Sequence, residues 1–234
     1  HDVRLFQETL IRALNMGKPV VIHAVTKKGL GYAPAQANPE AFHGVAPFDI
    51  ATGEIRKSKG GAPTYTSVFS QRLIAEAEAN PCIVAITAAM PAGTGLDAFA
   101  KRFPRRFFDV GIAEECAVTM ASGLAIGQFV PVVAVYSTFL QRAYDEIATN
   151  VCLQNLHVVF AVDRAGLVGE DGSTHHGTFD LAYLRTLPNM RILAPSDEAE
   201  LARALRFAID ATGPIAVRFP RGKAQGVALP EHVG

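Results

Sequence analysis

The stretch FDVGIAEECAVT, residues 108–119, decides how the rest of the chain is read. A strand over 106–110 runs into a short turn, and a helix opens near Ala113 with Glu114 at its start. A carboxylate in the first helical turn gains from the helix dipole whatever its function. Here Asp109, Glu114 and Glu115 crowd one strand end, and the small residues Ala117, Ala121, Ser122, Gly123 and Ala125 follow along the helix. Small side chains let another segment approach closely. The carboxyl ends of parallel strands are also where open α/β sheets bind ligands. Function is therefore sought along this edge.

Working outward, apolar runs at 82–86, 107–110, 130–136, 157–163, 190–193 and 215–218 read as strands. Helical patterns at 64–78, 113–126, 140–153 and 197–210 fall between most of them. Ser196-Asp197-Glu198-Ala199-Glu200 has the cap-then-acid pattern of a helix start, although not a strict capping box. Strands alternating with helices predict an α/β fold, a mainly parallel sheet flanked by helices. Upstream, Val3, Phe6, Leu10 and Leu14 recur at helical spacing, and 19–25 reads as a short buried strand. One helix and one strand cannot bury a core alone, so residues 1–62 are expected to be the end of a preceding α/β domain plus a connection. Pro34, Pro39, Pro47 and several glycines mark that connection. Residues 63–222 form the main domain, and 223–234, with Pro230 and little pattern, read as a linker.

Apolar residues make up 49% of the 234 and charged ones 19%, enough for a sizeable core. The 22 basic and 22 acidic residues cancel, which argues against nucleic acid or an anionic membrane as partner. Cys82, Cys116 and Cys152 are odd in number and lack metal-ligand spacing, and read as reduced thiols of a cytoplasmic protein. No apolar run reaches the roughly 18 residues of a membrane-spanning helix. The chain opens on an amphipathic helix without an initiator Met, so it is expected to be a segment of something longer.

Polar clusters follow the strands. Tyr136, Phe139 and Arg142 come after one; Arg164, Asp171, His175 and His176 lie in a glycine-rich loop after the next; Arg221 follows the last. Each alone is weak, because a glycine-rich loop is usually a turn and a lone Arg a solvated cation. Together they place Arg142, Arg164 and Arg221 on one sheet edge. Three guanidiniums there repel unless they face an anion, and their forked donors suit phosphate or carboxylate. His175, in a loop, can move protons near neutral pH, and His176 competes for that role. Phe139 is either core or a stacking platform for a planar ring.

The stretches YSTFLQRAYD (136–145), VDRAGLVGEDGSTHHGTFDLAYLR (162–185), RFPRG (218–222) and FDVGIAE (108–114) resemble the 1-deoxy-D-xylulose-5-phosphate synthase family of transketolase-like thiamine diphosphate enzymes. VTKKGLGYAP (25–34) and FHGVAPFD (42–49) are similar to the same family, in the same order. The resemblance implies a pyrimidine-binding domain over most of the chain, with thiamine diphosphate as cofactor. It implies condensation of pyruvate with D-glyceraldehyde 3-phosphate and loss of CO2, giving a precursor of isoprenoids, thiamine and pyridoxal. Mg2+ is implied too, with ligands in an N-terminal part absent from these residues, so that the segment alone is expected to be inactive.

By the same resemblance, Glu114 matches the acid that hydrogen-bonds the aminopyrimidine ring, and Phe139 the residue stacked on it. Lys28 matches a lysine near the cofactor diphosphate and His43 a histidine close to the reacting centre. Tyr136, Arg142, Arg164, Asp171, His175 and Arg221 match positions that bind the acceptor and its phosphate or assist proton transfer. A homodimer in the cytoplasm, or in a plastid if the source is a plant, is implied as well. Two departures sit near the site: Glu115-Cys116 where the family has Gln-His, and Thr87-Ala88-Ala89-Met90 where it has Thr-Pro-Ala-Met. Another transketolase-type ketol transferase, or a non-catalytic dimerisation segment, remains an alternative at this point.

Overall fold

The structure, a computed structural model, describes residues 1–39, 41–45, 47–55 and 61–229, so parts of the expected connection and linker lie outside the described residues. The chain divides into two compact units, 1–60 and 61–234.

The second unit begins with helix α3, Tyr65–Ala79, and continues through β1 (Ile83–Thr87), α4 (Asp97–Arg102), β2 (Phe107–Asp109), α5 (Glu114–Ile126) and β3 (Val130–Tyr136). After β3 come α6 (Ser137–Leu140), α7 (Tyr144–Glu146), β4 (Val159–Asp163), α8 (Asp180–Leu184), β5 (Arg191–Leu193), α9 (Glu198–Asp210) and β6 (Ile215–Arg218). The strands form a six-stranded sheet in the order β2-β1-β3-β4-β6-β5, with every pairing parallel. The inner strands are apolar runs without polar alternation because both faces are covered. Ile83, Ala85, Val132, Ala134, Val159, Ala161, Ile215 and Val217 pack with α3, α4 and α9 on one face. Ile86, Val133, Val135, Phe160, Val162 and Ala216 pack with α5 and the segment after β3 on the other. Phe69 of α3 stacks on Phe219 with ring centroids 5.3 Å apart, and both are about 1% exposed. Each such buried ring contributes roughly 2–3 kcal/mol by area.

Caps fix where the helices begin. Thr64 Oγ1 accepts the Ser67 N–H at 3.1 Å, and Asp197 Oδ1 accepts the Glu200 N–H at 2.7 Å. Glu200 reaches back past the cap to Ser196, whose N–H and hydroxyl both donate at 2.7 Å.

Two expectations need correction. The single helix expected at 140–153 is broken into α6, a 3-10 turn at Gln141–Ala143, α7 and a π-helical stretch at Ile147–Cys152. Leu140, Ala143, Ile147, Val151 and Cys152 all stay buried, so the apolar face survives three changes of hydrogen-bond register. Among the described residues, 19–25 pairs with no strand, and Val21 is 95% exposed, because a β-prone run needs a neighbour to bond. At the start of the expected linker, buried Glu198 accepts the N–H groups of Gln225, Gly226 and Val227 at 3.1, 2.6 and 2.6 Å. Burial raises that carboxyl, but those bonds prevail and hold it below its ordinary value.

The first unit carries α1 (Val3–Leu14), capped by Asp2 and with no buried residue, and α2 (Ala33–Ala37). Its own packing is a triad of rings, Tyr32, Phe42 and Phe48, with centroids 5.2–5.9 Å apart.

Candidate active site

The chain leaves β1 toward β2 on one side and returns to β3 on the other, so the connections after β1 and β3 diverge at the carboxyl edge. That divergence opens a crevice in a parallel sheet. The polar residues gather along it.

Tyr136 ends β3, and α6 follows with no intervening loop. Tyr136, Phe139 and Arg142 are therefore spaced one helical turn apart on one face. Tyr136 and Phe139 stack at 5.9 Å with planes 22° apart, and the Arg142 guanidinium lies 5.2 Å over the Phe139 ring. Arg142 Nη1 also donates to both Glu114 oxygens, at 3.3 and 3.2 Å. Glu114 is only 2% exposed although it opens α5, and Arg142 remains half exposed. Phe139 is half-buried, which leaves part of its ring open.

From Tyr136 the contacts run on to the arginines. The Arg164 guanidinium lies 3.8 Å over the Tyr136 ring and donates to the Gly93 carbonyl at 2.6 Å. It stands 3.2 Å from Asp163 and 3.8 Å from Asp171. Arg221 in turn pairs with Asp171 at 3.0 Å and with Glu170 at 3.5 Å. One continuous series of contacts thus joins Glu114, Arg142, Phe139, Tyr136, Arg164, Asp171 and Arg221. The three arginines do converge, but the anions they face are the chain's own carboxylates: Arg142 meets Glu114, and the other two share Asp171. Sequence reasoning could not supply those partners, which lie 28 residues away from Arg142 and 50 from Arg221 in the chain.

The loop after β4 is closed at its base by reciprocal bonds between Gly166 and Gly177, each 2.8 Å. A Cβ at Gly177 would fall 2.4 Å from the Arg164 carbonyl and from Ser137 Cβ, so only glycine permits the closure. Thr138 Oγ1 pins the loop's far side by donating to the Thr174 carbonyl at 3.0 Å. This sets His175 edge-on to Phe139, 5.4 Å between centroids. His176 is used differently, accepting the Val168 N–H at 3.1 Å on Nδ1. Geometry therefore separates the two histidines that the sequence left competing.

Burial pushes Asp163, fully enclosed at the end of β4, up to about 6, with Arg164 and Thr66 partly opposing. Burial likewise raises the Tyr136 phenol above its ordinary value, against the pull of Arg164. Two residues here were not singled out from the sequence. Gly93 has so little room that a Cβ would lie 1.6 Å from Tyr136 Oη, and Asp163 braces Arg164. The PAGTG glycines and the acid preceding Arg164 were the available signals.

In the first unit Lys28 Nζ lies 2.9 Å from His43 Nδ1, so these two candidates meet each other. Among the described residues, no group of three or more His, Cys, Asp or Glu is arranged to hold a metal ion.

A family described as "Transketolase, pyrimidine binding domain" matches residues 61–226. Over 233 residues the chain is 57% identical to 1-deoxy-D-xylulose-5-phosphate synthase 1 of Geobacter sulfurreducens, covering 100% of this chain and 37% of that protein. It is 58% identical over 230 residues to the 1-deoxy-D-xylulose-5-phosphate synthase of Syntrophotalea carbinolica, covering 97% of this chain and 36% of that one. The chain thus spans little more than a third of the length of these curated relatives. Among solved structures, a split gene transketolase, described as an inactive beta4 tetramer, is similar with TM-score 0.65 and 31% identity, over 74% of this chain and 56% of that one. A transketolase from Campylobacter jejuni shares the fold at TM-score 0.65 and 22% identity, over 75% of this chain and 28% of that one.

Proposed function

Because this chain belongs to the transketolase pyrimidine-binding domain family, we propose that it is the pyrimidine-binding part of a 1-deoxy-D-xylulose-5-phosphate synthase. That enzyme joins pyruvate to D-glyceraldehyde 3-phosphate and releases CO2. The observation that carries the reading is the buried Glu114 carboxylate, tied through Arg142 to the half-open Phe139 ring and onward to Arg164 and Arg221. Identity of 53–58% to synthases of that name supports the choice within the family.

The residues present suit an aminopyrimidine ring: an enclosed acceptor oxygen beside a flat apolar face. Thiamine diphosphate, when bound, supplies the carbon nucleophile and electron sink for decarboxylation. Glu114 accepts a hydrogen bond from the ring, in a site shielded from water where such a bond is strong. Phe139 holds the ring plane. Arg164, whose buried Nε has no hydrogen-bond partner, and Arg221 hold the acceptor's phosphate, with Tyr136 and Asp171 aligning them. His175 moves a proton beside Phe139, with Arg142 over that ring binding the acceptor. Lys28 and His43 serve the diphosphate and the reacting centre. Mg2+ ligands belong, in this reading, to the portion of the relatives that the chain does not cover. A cytoplasmic homodimer completes the proposal, supported by the exposed face of α5, where Cys116, Thr119 and Gly123 offer little bulk beside exposed Ile112 and Ile126.

Glu114→Gln in the full-length protein tests the assignment. Turnover of pyruvate with glyceraldehyde 3-phosphate should collapse while folding is unchanged; unaltered turnover would leave only a dimerisation role. Xylulose 5-phosphate as the preferred donor would favour a transketolase-type reaction instead.

A further inference from the structure

Asp163 has no part in the function proposed so far, yet it is fully buried directly before the arginine proposed to meet phosphate. We propose that Asp163 is a positioning residue for acceptor phosphate, fixing the Arg164 guanidinium in place through its negative charge. The inference rests on Arg164 being a phosphate ligand.

Asp163 closes β4 and is gripped from two sides. Thr66 Oγ1, in the first turn of α3, donates to Oδ2 at 2.8 Å. The Arg164 N–H donates to Oδ1 at 2.7 Å, and Arg164 Nη1 stands 3.2 Å from Oδ2. Arg164 has a left-handed backbone, φ 58°, which a non-glycine residue adopts only when its surroundings hold it there. The Asp163 bond to its N–H and the Ala165 N–H bond to the Phe219 carbonyl, 3.0 Å, supply that hold. The guanidinium is then laid on the Tyr136 ring and anchored through Nη1 by Gly93 and Asp163, while its buried Nε makes no hydrogen bond and stands 3.8 Å from Asp171 Oδ2. One nitrogen is committed to the frame, and another is left without a hydrogen bond.

An Asn at this position could accept from the Arg164 N–H, and its amide could donate to Thr66, so a bracing role alone does not require a charge. A carboxylate with no exposure is costly to bury. What it adds over an amide is a charge-assisted contact to a forked cation. The charge therefore acts on the aim of Arg164.

The test compares glyceraldehyde 3-phosphate with unphosphorylated D-glyceraldehyde as acceptor in the full-length enzyme. Asp163→Asn should lower kcat/KM for the phosphorylated acceptor about tenfold or more and leave that for D-glyceraldehyde within about twofold, so the preference for phosphate shrinks. A merely structural role would lower both together, and that result overturns the inference. Arg164→Gln is run beside it. If Arg164→Gln abolishes the preference and Asp163→Asn preserves it, the positioning role fails while the reading of Arg164 stands. If Arg164→Gln preserves it, that reading fails first and the inference with it. Should Asp163→Asn not fold, Thr66→Val, which removes only the outer bond, is expected to cut the preference at least threefold; an unchanged preference in Thr66→Val overturns the proposal.

Discussion

Replacing Asp163 by Asn should change how stability depends on pH, and the size of the change follows from the site. Burial raises the Asp163 carboxyl from 3.8 to about 6, so between those values the folded state holds a proton that the unfolded state has released. The unfolding free energy of the wild type therefore falls as pH rises through this window. The stabilising effect of the neutral form is complete below the unfolded value and is lost above about 6. The shift corresponds to about 3 kcal/mol. The Asp163→Asn variant has no such dependence, and other titrating groups are common to both proteins. The wild type measured against Asp163→Asn should thus lose about 3 kcal/mol between about pH 3 and pH 7.5, read from urea unfolding midpoints at each pH. A difference that stays flat across the range would refute the reasoning, because it would mean that Arg164 and Thr66 offset the cost of burial in full. If the loss is seen, the charge near neutral pH weakens the fold that contains it, which is what a residue serving the site rather than the core should do.

Other outcomes follow from single contacts. Gly93→Ala places a methyl 1.6 Å from Tyr136 Oη, so Tyr136 must leave its position under Arg164; kcat/KM for the phosphorylated acceptor should fall by about 10²-fold with secondary structure unchanged by circular dichroism. Glu76→Ala removes a buried carboxylate shared by Arg72 and Arg206 and joining α3 to α9; a loss of about 3–5 kcal/mol in urea unfolding is expected. Burial pushes the Cys152 thiol up to about 11, whereas Cys82 and Cys116 are exposed. A thiol reagent near neutral pH should label Cys82 in the native protein and reach Cys152 only after unfolding.

Much of the architecture is legible in the amino-acid sequence, and the reasons differ by element. The strands 130–136 and 215–218 match β3 and β6 residue for residue, because a fully buried parallel strand is a continuous apolar run ending where polarity returns. The interruption of 140–153 is hidden, since burial selects an apolar face and does not register a change from α to π bonding. The run at 19–25 misleads because β-propensity reports a side chain's preference, whereas a strand needs a bonded neighbour. Short α4 and α8 fall below the length at which periodicity speaks.

At the site, residues at strand ends can be located because the fold carries every strand end to one edge. Their pairing cannot. That Arg142 turns to Glu114, that Arg164 leans on Asp163, and that Gly93 must lack a side chain depend on elements brought together only by folding.

The central claim is that Glu114 acts on the pyrimidine ring of thiamine diphosphate. Proton exchange at C2 of the thiazolium ring, followed by NMR after quenching in heavy water, measures this directly in the full-length enzyme. Glu114→Gln should bind the cofactor and slow that exchange by about 10² or more. Exchange at the wild-type rate, with the cofactor bound, would contradict the account.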